Sequence, residues 1–167
     1  MKIMAGDWIK RLADDERKRD EVRSLAAETA SRKADLVRVH GRRLLEELRT
    51  TMARDVEAFR HEFAGDQTRE IIVEDVQPEG GFVVRKPEYP AASLNVAPRL
   101  EAAAVGCQYR FTPNNGLPPR EDRLELVFTG DGVETLQIKH HGTGQLFSTP
   151  DALSEYLLAP VFTGRPR

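Results

Sequence analysis

From Asp7 to about Phe63 the chain repeats apolar residues at helical spacing with one interruption, and no proline occurs before Pro78. That spacing predicts one long amphipathic helix. Its stripe runs through Val37, Leu44, Leu48, Met52, Val56, Phe59 and Phe63, and Ala26, Ala30 and Ala34 extend it towards the N-terminus with small side chains. The repeat lies nearer eleven residues in three turns than seven in two, so a nearly straight bundle helix is expected rather than a leucine zipper. Asp7 is placed to cap the first turn, where Trp8, Ile9 and Leu12 form a separate apolar cluster. Between the two clusters, Asp14 to Glu21 contains no apolar residue. The i,i+4 pairs Asp14–Lys18 and Asp15–Arg19 are expected to hold that stretch helical in water. Gly41 disfavours a helix interior by about 1 kcal/mol relative to alanine. It marks either a kink or the corner of a helical hairpin, and the in-phase stripe on both sides favours a continuous helix.

Past Ala64-Gly65-Asp66, the expected helix end, the period changes from helical to alternating. Ile71–Val73 and Phe82–Val84 read as a hairpin around Pro78-Glu79-Gly80-Gly81. Ser93–Val96 reads as a third strand that Pro98 ends or confines to an edge. In the fourth, Val105, Cys107, Tyr109 and Phe111 alternate with polar or small residues, the period of a half-buried strand. After the loop Thr112–Asp122 come a strand with Leu124, Leu126 and Phe128 on one side and another with Leu136 and Ile138. Gly130-Asp131-Gly132 is the expected turn between them, and His141–Gly144 leads into a short strand at Leu146-Phe147. Thr149-Pro150-Asp151 is an N-cap followed by a residue suited to the first helical position, and the helix presents Leu153, Tyr156, Leu157 and Val161 inwards until Pro160 ends it. The expected fold class is therefore α+β. A helical stalk (1–66) is followed by an antiparallel sheet of five to seven strands with the C-terminal helix on one face (67–163) and a frayed tail (164–167).

The scale of the helix drives the functional expectation. At 1.5 Å per residue it would extend about 85 Å, whereas a compact domain of about 100 residues has a radius of gyration near 13 Å. So small a head cannot shelter so long a seam, which needs another copy, another protein or a fold-back of the helix on itself. A second copy or a heterologous partner is expected on Ala30, Val37, Leu44, Leu48, Met52, Val56 and Phe59, and Trp8, Ile9 and Leu12 form a separate candidate docking motif.

Charge and composition narrow the classes. The net charge of −2 gives no general attraction to nucleic acid. No apolar run approaches the roughly 20 residues of a membrane span, and Asp7, Lys10 and Arg11 break up any secretory core near the N-terminus. The single cysteine, Cys107, rules out an internal disulfide and fits a cytoplasmic setting. A local basic cluster, Arg32, Lys33, Arg38, Arg42, Arg43 and Arg49, offers phosphate contacts at Arg38, Arg42 and Arg49. Solvated helix charges give the same pattern. The outward strand positions Gln108, Arg110, Glu125, Thr135, Gln137 and Lys139 carry no aromatic on which a base could stack.

Catalytic chemistry finds little footing. His140 and His141 are neighbours on a strand and point to opposite faces. His140 shares the parity of Leu136 and Ile138 and reads as a core-edge histidine bonded to backbone. His61-Glu62 lacks a second histidine four positions on, because residue 65 is glycine. Cys107 lies on the apolar face of its strand, the setting of an inert thiol. Glu74, Asp75 and Glu79 read as solvated turn carboxylates. No cofactor or metal site emerges, and these signals lean away from an enzyme. The leading expectation is a non-catalytic assembly or adaptor protein. A nucleic-acid accessory using the arginine face is the first alternative. An enzyme or ligand binder with a pocket between sheet and terminal helix is the second.

Overall fold

The structure is a computed structural model describing residues 4–76, 80–113, 115–130 and 136–167. Its long N-terminal helix has three consecutive parts: α1 (Met4–Leu36, 33 residues), a wider π turn (Val37–Gly41, 5 residues) and α2 (Arg42–Glu62, 21 residues). Backbone angles stay right-handed helical at Leu36, Gly41 and Arg42, so the helix is continuous across Gly41. The π turn has a physical reason. Four-residue steps on an α-helix drift by about 40° each. The inward residues Val37, Gly41 and Leu45 would therefore fan away from the sheet, and a wide turn absorbs that drift. Glycine fits the middle position because a Cβ there would lie 3.3 Å from both Leu100 Cδ2 and Val37 Cγ1.

Among the described residues, seven antiparallel strands follow in one sheet whose spatial order is the chain order: β1 (Ile72–Val76), β2 (Gly81–Lys86), β3 (Ala91–Arg99), β4 (Ala104–Thr112), β5 (Arg120–Gly130), β6 (Leu136–His140) and β7 (Leu146–Phe147). The final helix, α3, spans Pro150–Thr163, with the Thr149 hydroxyl accepting from the Ala152 amide as its N-cap. The fold is α+β. The register places Phe82 beside Val96, Val96 beside Cys107, Leu94 beside Tyr109, Val105 beside Leu126, and Phe128 beside Ile138. These residues are all buried on one face. The helices cover that face, with Leu48, Met52 and Val56 from α2 and Leu153, Leu157, Leu158 and Val161 from α3 joining the same core.

Polar contacts clasp the two covering helices together. Ser154 is fully buried and donates to Asp55 Oδ2 at 2.7 Å, Arg54 pairs with Asp151, and the Phe59 and Phe162 rings stack at 4.3 Å. Beneath α3, the Tyr109 hydroxyl donates to the Leu157 carbonyl at 2.6 Å. Burial, with Cys107 nearby, keeps that phenol protonated well above the usual tyrosine range.

Several expectations need correction. One core joins residues from both sides of position 66, so α2 belongs to the head and the free portion of the helix ends near Leu36. Leu45 is buried and Leu44 only half-buried, because the π turn rotates the seam by one residue. Pro98 neither ends β3 nor puts it at the sheet's edge. The β2 pairing stops at Val96, so Pro98 occupies a stretch of β3 paired with β4 alone. The loop after Thr112 is shorter than expected, since β5 begins at Arg120. Pro160 does not end α3, which continues to Thr163. The tail is fastened rather than frayed. Gly164 adopts φ 65°, the Arg165 amide donates back to the Pro160 carbonyl at 3.2 Å, and the Arg167 guanidinium lies 3.4 Å from the Tyr156 ring centre. The turn readings at Pro78, Glu79, Asp131 and Gly132, and the outward position Thr135, lie outside the described residues.

Candidate protein interface on the free helix

From Gly6 to Asp35 every residue of α1 is exposed except half-buried Ala13. At 1.5 Å per residue this is about 45 Å of helix clear of the head. A lone helix in water relies on its own side chains, and α1 is supplied with them. Arg17 pairs with Asp14 at 2.7 Å, Arg19 with Glu16 at 2.8 Å, Arg23 with Asp20 at 3.4 Å and Arg32 with Glu28 at 3.6 Å. Two i,i+3 pairs, Arg17–Asp14 and Arg19–Glu16, stand where the i,i+4 pairs Asp14–Lys18 and Asp15–Arg19 were expected. Each exposed pair contributes about 0.2–0.5 kcal/mol, and together they keep the segment helical without burial. Between Asp7 and Asp35 the helix carries eight basic and eight acidic residues, so no net charge repels a like helix.

Large apolar side chains stand out from this charged rod: Trp8 at 55% exposure, Leu12 at 51%, Val22 at 66%, with Ile9 and Leu25 similarly open. Trp8, Leu12, Ala26 and Ala30 share one line along the helix, within about 20° of the direction of buried Val37 at 100° per residue, and Val22 lies about 60° from it. Val22 and Leu25 were not part of the seam read from sequence. The signal for Val22 was the alternating step of four and three that leads from Leu12 through Asp15 and Arg19 to it.

The structure divides the other expected interface residues in two. Ala30 is exposed on the free helix. Val37, Leu48, Met52 and Val56 are almost wholly buried against the chain's own sheet, while Leu44 and Phe59 are half-buried beside the same core. The shelter expected from a partner comes, for that half, from the sheet. The physical cause is the meander: seven short strands laid side by side expose one broad apolar face, wide enough to accept both α2 and α3.

The arginine face is also dispersed. Arg49 makes two bonds to Asp75 on β1, at 2.5 and 2.9 Å, and Arg38 pairs with Asp35 at 3.2 Å. Only Arg38 and Arg42 remain together, with Ala30, Lys33 and Ala34, in a groove closed on its far side by Leu100–Ala103. Glu101 in that groove reduces its positive charge.

Elsewhere the reactive side chains serve the fold. His140 Nδ1 accepts from the Gly142 and Thr143 amides at 3.0 and 3.1 Å, holding the turn into β7. The Cys107 thiol is buried and its pKa is pushed up to about 12 by desolvation. Lys86, which no sequence pattern singled out, is buried on the covered face and donates to the Glu88 and Pro90 carbonyls at 2.9 and 3.0 Å. Desolvation, with Arg69 nearby, holds its pKa below the ordinary lysine value. The space between sheet and α3 is filled by Leu153, Leu157, Leu158 and Val161. A small hollow at its rim lies among Tyr109, Phe111, His140, Tyr156 and Arg167. Among the described residues, no helix is long and apolar enough to cross a membrane, and no three His, Cys, Asp or Glu side chains group as metal ligands. No protein-family model, curated protein or solved structure matches the chain.

Proposed function

We propose that the protein is a non-catalytic assembly subunit. Its α+β head anchors a rigid free helix, and that helix docks onto a second polypeptide through the line of Trp8, Leu12, Val22, Ala26 and Ala30. One observation carries this reading: a charge-stabilised helix of some thirty residues leaves the head with its apolar line uncovered, the tryptophan included. Exposed single apolar residues are ordinary on protein surfaces, but an aligned set on an isolated rod is the arrangement of a helix-in-groove or helix-pair contact. The nucleic-acid reading loses support because Arg49 and Arg38 are already engaged with carboxylates.

Photo-crosslinking in living cells tests the proposal. A photoreactive residue at Leu12 or Val22 of the full chain is expected to give covalent adducts heavier than the chain, and one at the solvent-facing Arg110 none. Absence of adducts from both stalk positions would overturn docking through this helix.

A further inference from the structure

The line of residues on the free helix has a symmetry that selects its own occupant. Trp8, Leu12, Asp15, Arg19, Val22 and Ala26 are separated by steps of four, three, four, three and four, the seam positions of a helix pair. The set is symmetric about Arg17. Reversing the helix exchanges position 8 with 26, 12 with 22, and 15 with 19. Two copies laid antiparallel would therefore set Trp8 of each against Ala26 of the other, the largest side chain against a small one. Leu12 would meet Val22, and Asp15 would meet Arg19. Laying the copies parallel and in register instead sets Asp15 on Asp15, Arg19 on Arg19, and tryptophan on tryptophan. Both charge and volume thus favour the antiparallel pair.

The stretch Asp14 to Glu21, an interruption when seen in one chain, becomes the centre of the contact. Asp15, Glu16, Lys18 and Arg19 from both copies gather four charges of each sign around the axis. A charged pair inside a helix seam weakens association relative to apolar residues but fixes register and direction.

We propose that the protein forms an antiparallel homodimer through residues 8–26 of α1, centred on Arg17; this rests on the docking reading above and names its partner. The dimer is weak and reversible, with two charged layers among its six.

Spin-label distance measurement on the full chain tests it, combined with sedimentation. Labels attached at Ser24→Cys and, separately, at Ser31→Cys are expected about 20 Å and about 40 Å from their counterparts, growing by about 3 Å for each residue away from the axis. Native Cys107 is buried and does not compete for label. Arg19→Asp is expected to weaken dimerisation at least tenfold, since Asp15 then faces a second carboxylate, and the added substitution Asp15→Arg is expected to restore it. Short, equal distances at both positions would mean a parallel pair, which overturns this inference and leaves docking intact. A full chain that stays monomeric to sub-millimolar concentration also overturns it. In that case crosslinked adducts from Leu12 to another protein would keep the docking function, and their absence would remove both.

Discussion

Replacing Met52 by alanine tests whether the seam on α2 is sheltered within one chain. Met52 is 0% exposed, between buried Leu48 and Val56 on a helix packed over the sheet. The substitution removes three heavy atoms, worth about 0.8 kcal/mol each in transfer free energy, or about 2.4 kcal/mol. The flanking helix and hydrogen-bonded sheet resist collapse into the void, and the residual cavity raises the loss to about 3–4 kcal/mol, inside the usual range of 2–5 for such changes. Thermal unfolding followed by near-ultraviolet circular dichroism should register this. At about 3–4 °C per kcal/mol for a domain of this size, the midpoint should fall by roughly 10 °C or more. Leu12→Ala, on the free helix, should change the head's midpoint by less than about 2 °C, because no part of the core touches it. Protein concentration supplies the decisive comparison. A residue buried inside one chain gives the same shift at low and high concentration, whereas one buried between copies gives a shift that follows mass action. A Met52→Ala midpoint within about 3 °C of the native one, or a shift that grows with concentration, would refute the placement of α2 in the head's core.

Hydrogen exchange should divide the long helix sharply: amides of residues 42–60 exchange slowly with the head, and those of 8–30 exchange quickly in dilute solution, gaining protection as concentration rises. Uniform protection along the helix at all concentrations would contradict the free stalk. Gly164→Ala should destabilise the head by more than about 2 kcal/mol in urea unfolding, because its Cβ would lie 2.1 Å from the Pro90 carbonyl oxygen at a backbone angle of φ 65° that disfavours side chains. A neutral effect would mean the C-terminal cap can yield. Cys107 gives a pH dependence. Its folded pKa of about 12 lies above the ordinary thiol value of 9.0, so the unfolded state loses this proton first and stability falls as pH rises through that window. Cys107→Ala should flatten the slope between pH 9 and 12, at a constant cost for the lost packing, and the native thiol should resist aromatic disulfide reagents until the head unfolds. An unchanged slope, or rapid labelling of the folded chain, would count against the buried thiol.

How far the sequence could be read depends on how local each determinant is. The helix, the alternating strand around Cys107 and the Thr149 cap follow from neighbours within a few residues, and all are present in the fold. The partner of the α2 seam is not a local property. Nothing in Leu48, Met52 and Val56 distinguishes shelter under another helix from shelter under a sheet, and only the strand register shows that Phe82, Val96, Cys107 and Leu126 form one apolar floor beneath them. The exchange of Leu44 for Leu45 has the same origin. A single wide turn at Val37–Gly41 rotates everything beyond it, and no propensity marks where such a turn will fall. Lys86 was overlooked because its partners are carbonyls, which leave no trace in side-chain patterns. The free helix escaped division from the head because the chain between them contains no breaker at all.

That unbroken backbone makes the protein a keyed shaft rather than a tethered one. Deleting one residue between Ala26 and Val37 would swing Trp8 and Leu12 by about 100° around the rod while shortening it by about 1.5 Å. A loss of seven would retract them about 10 Å with only about 20° of rotation. The tip is thereby aimed at a fixed bearing from the β-sheet, and the bearing is set by residue count.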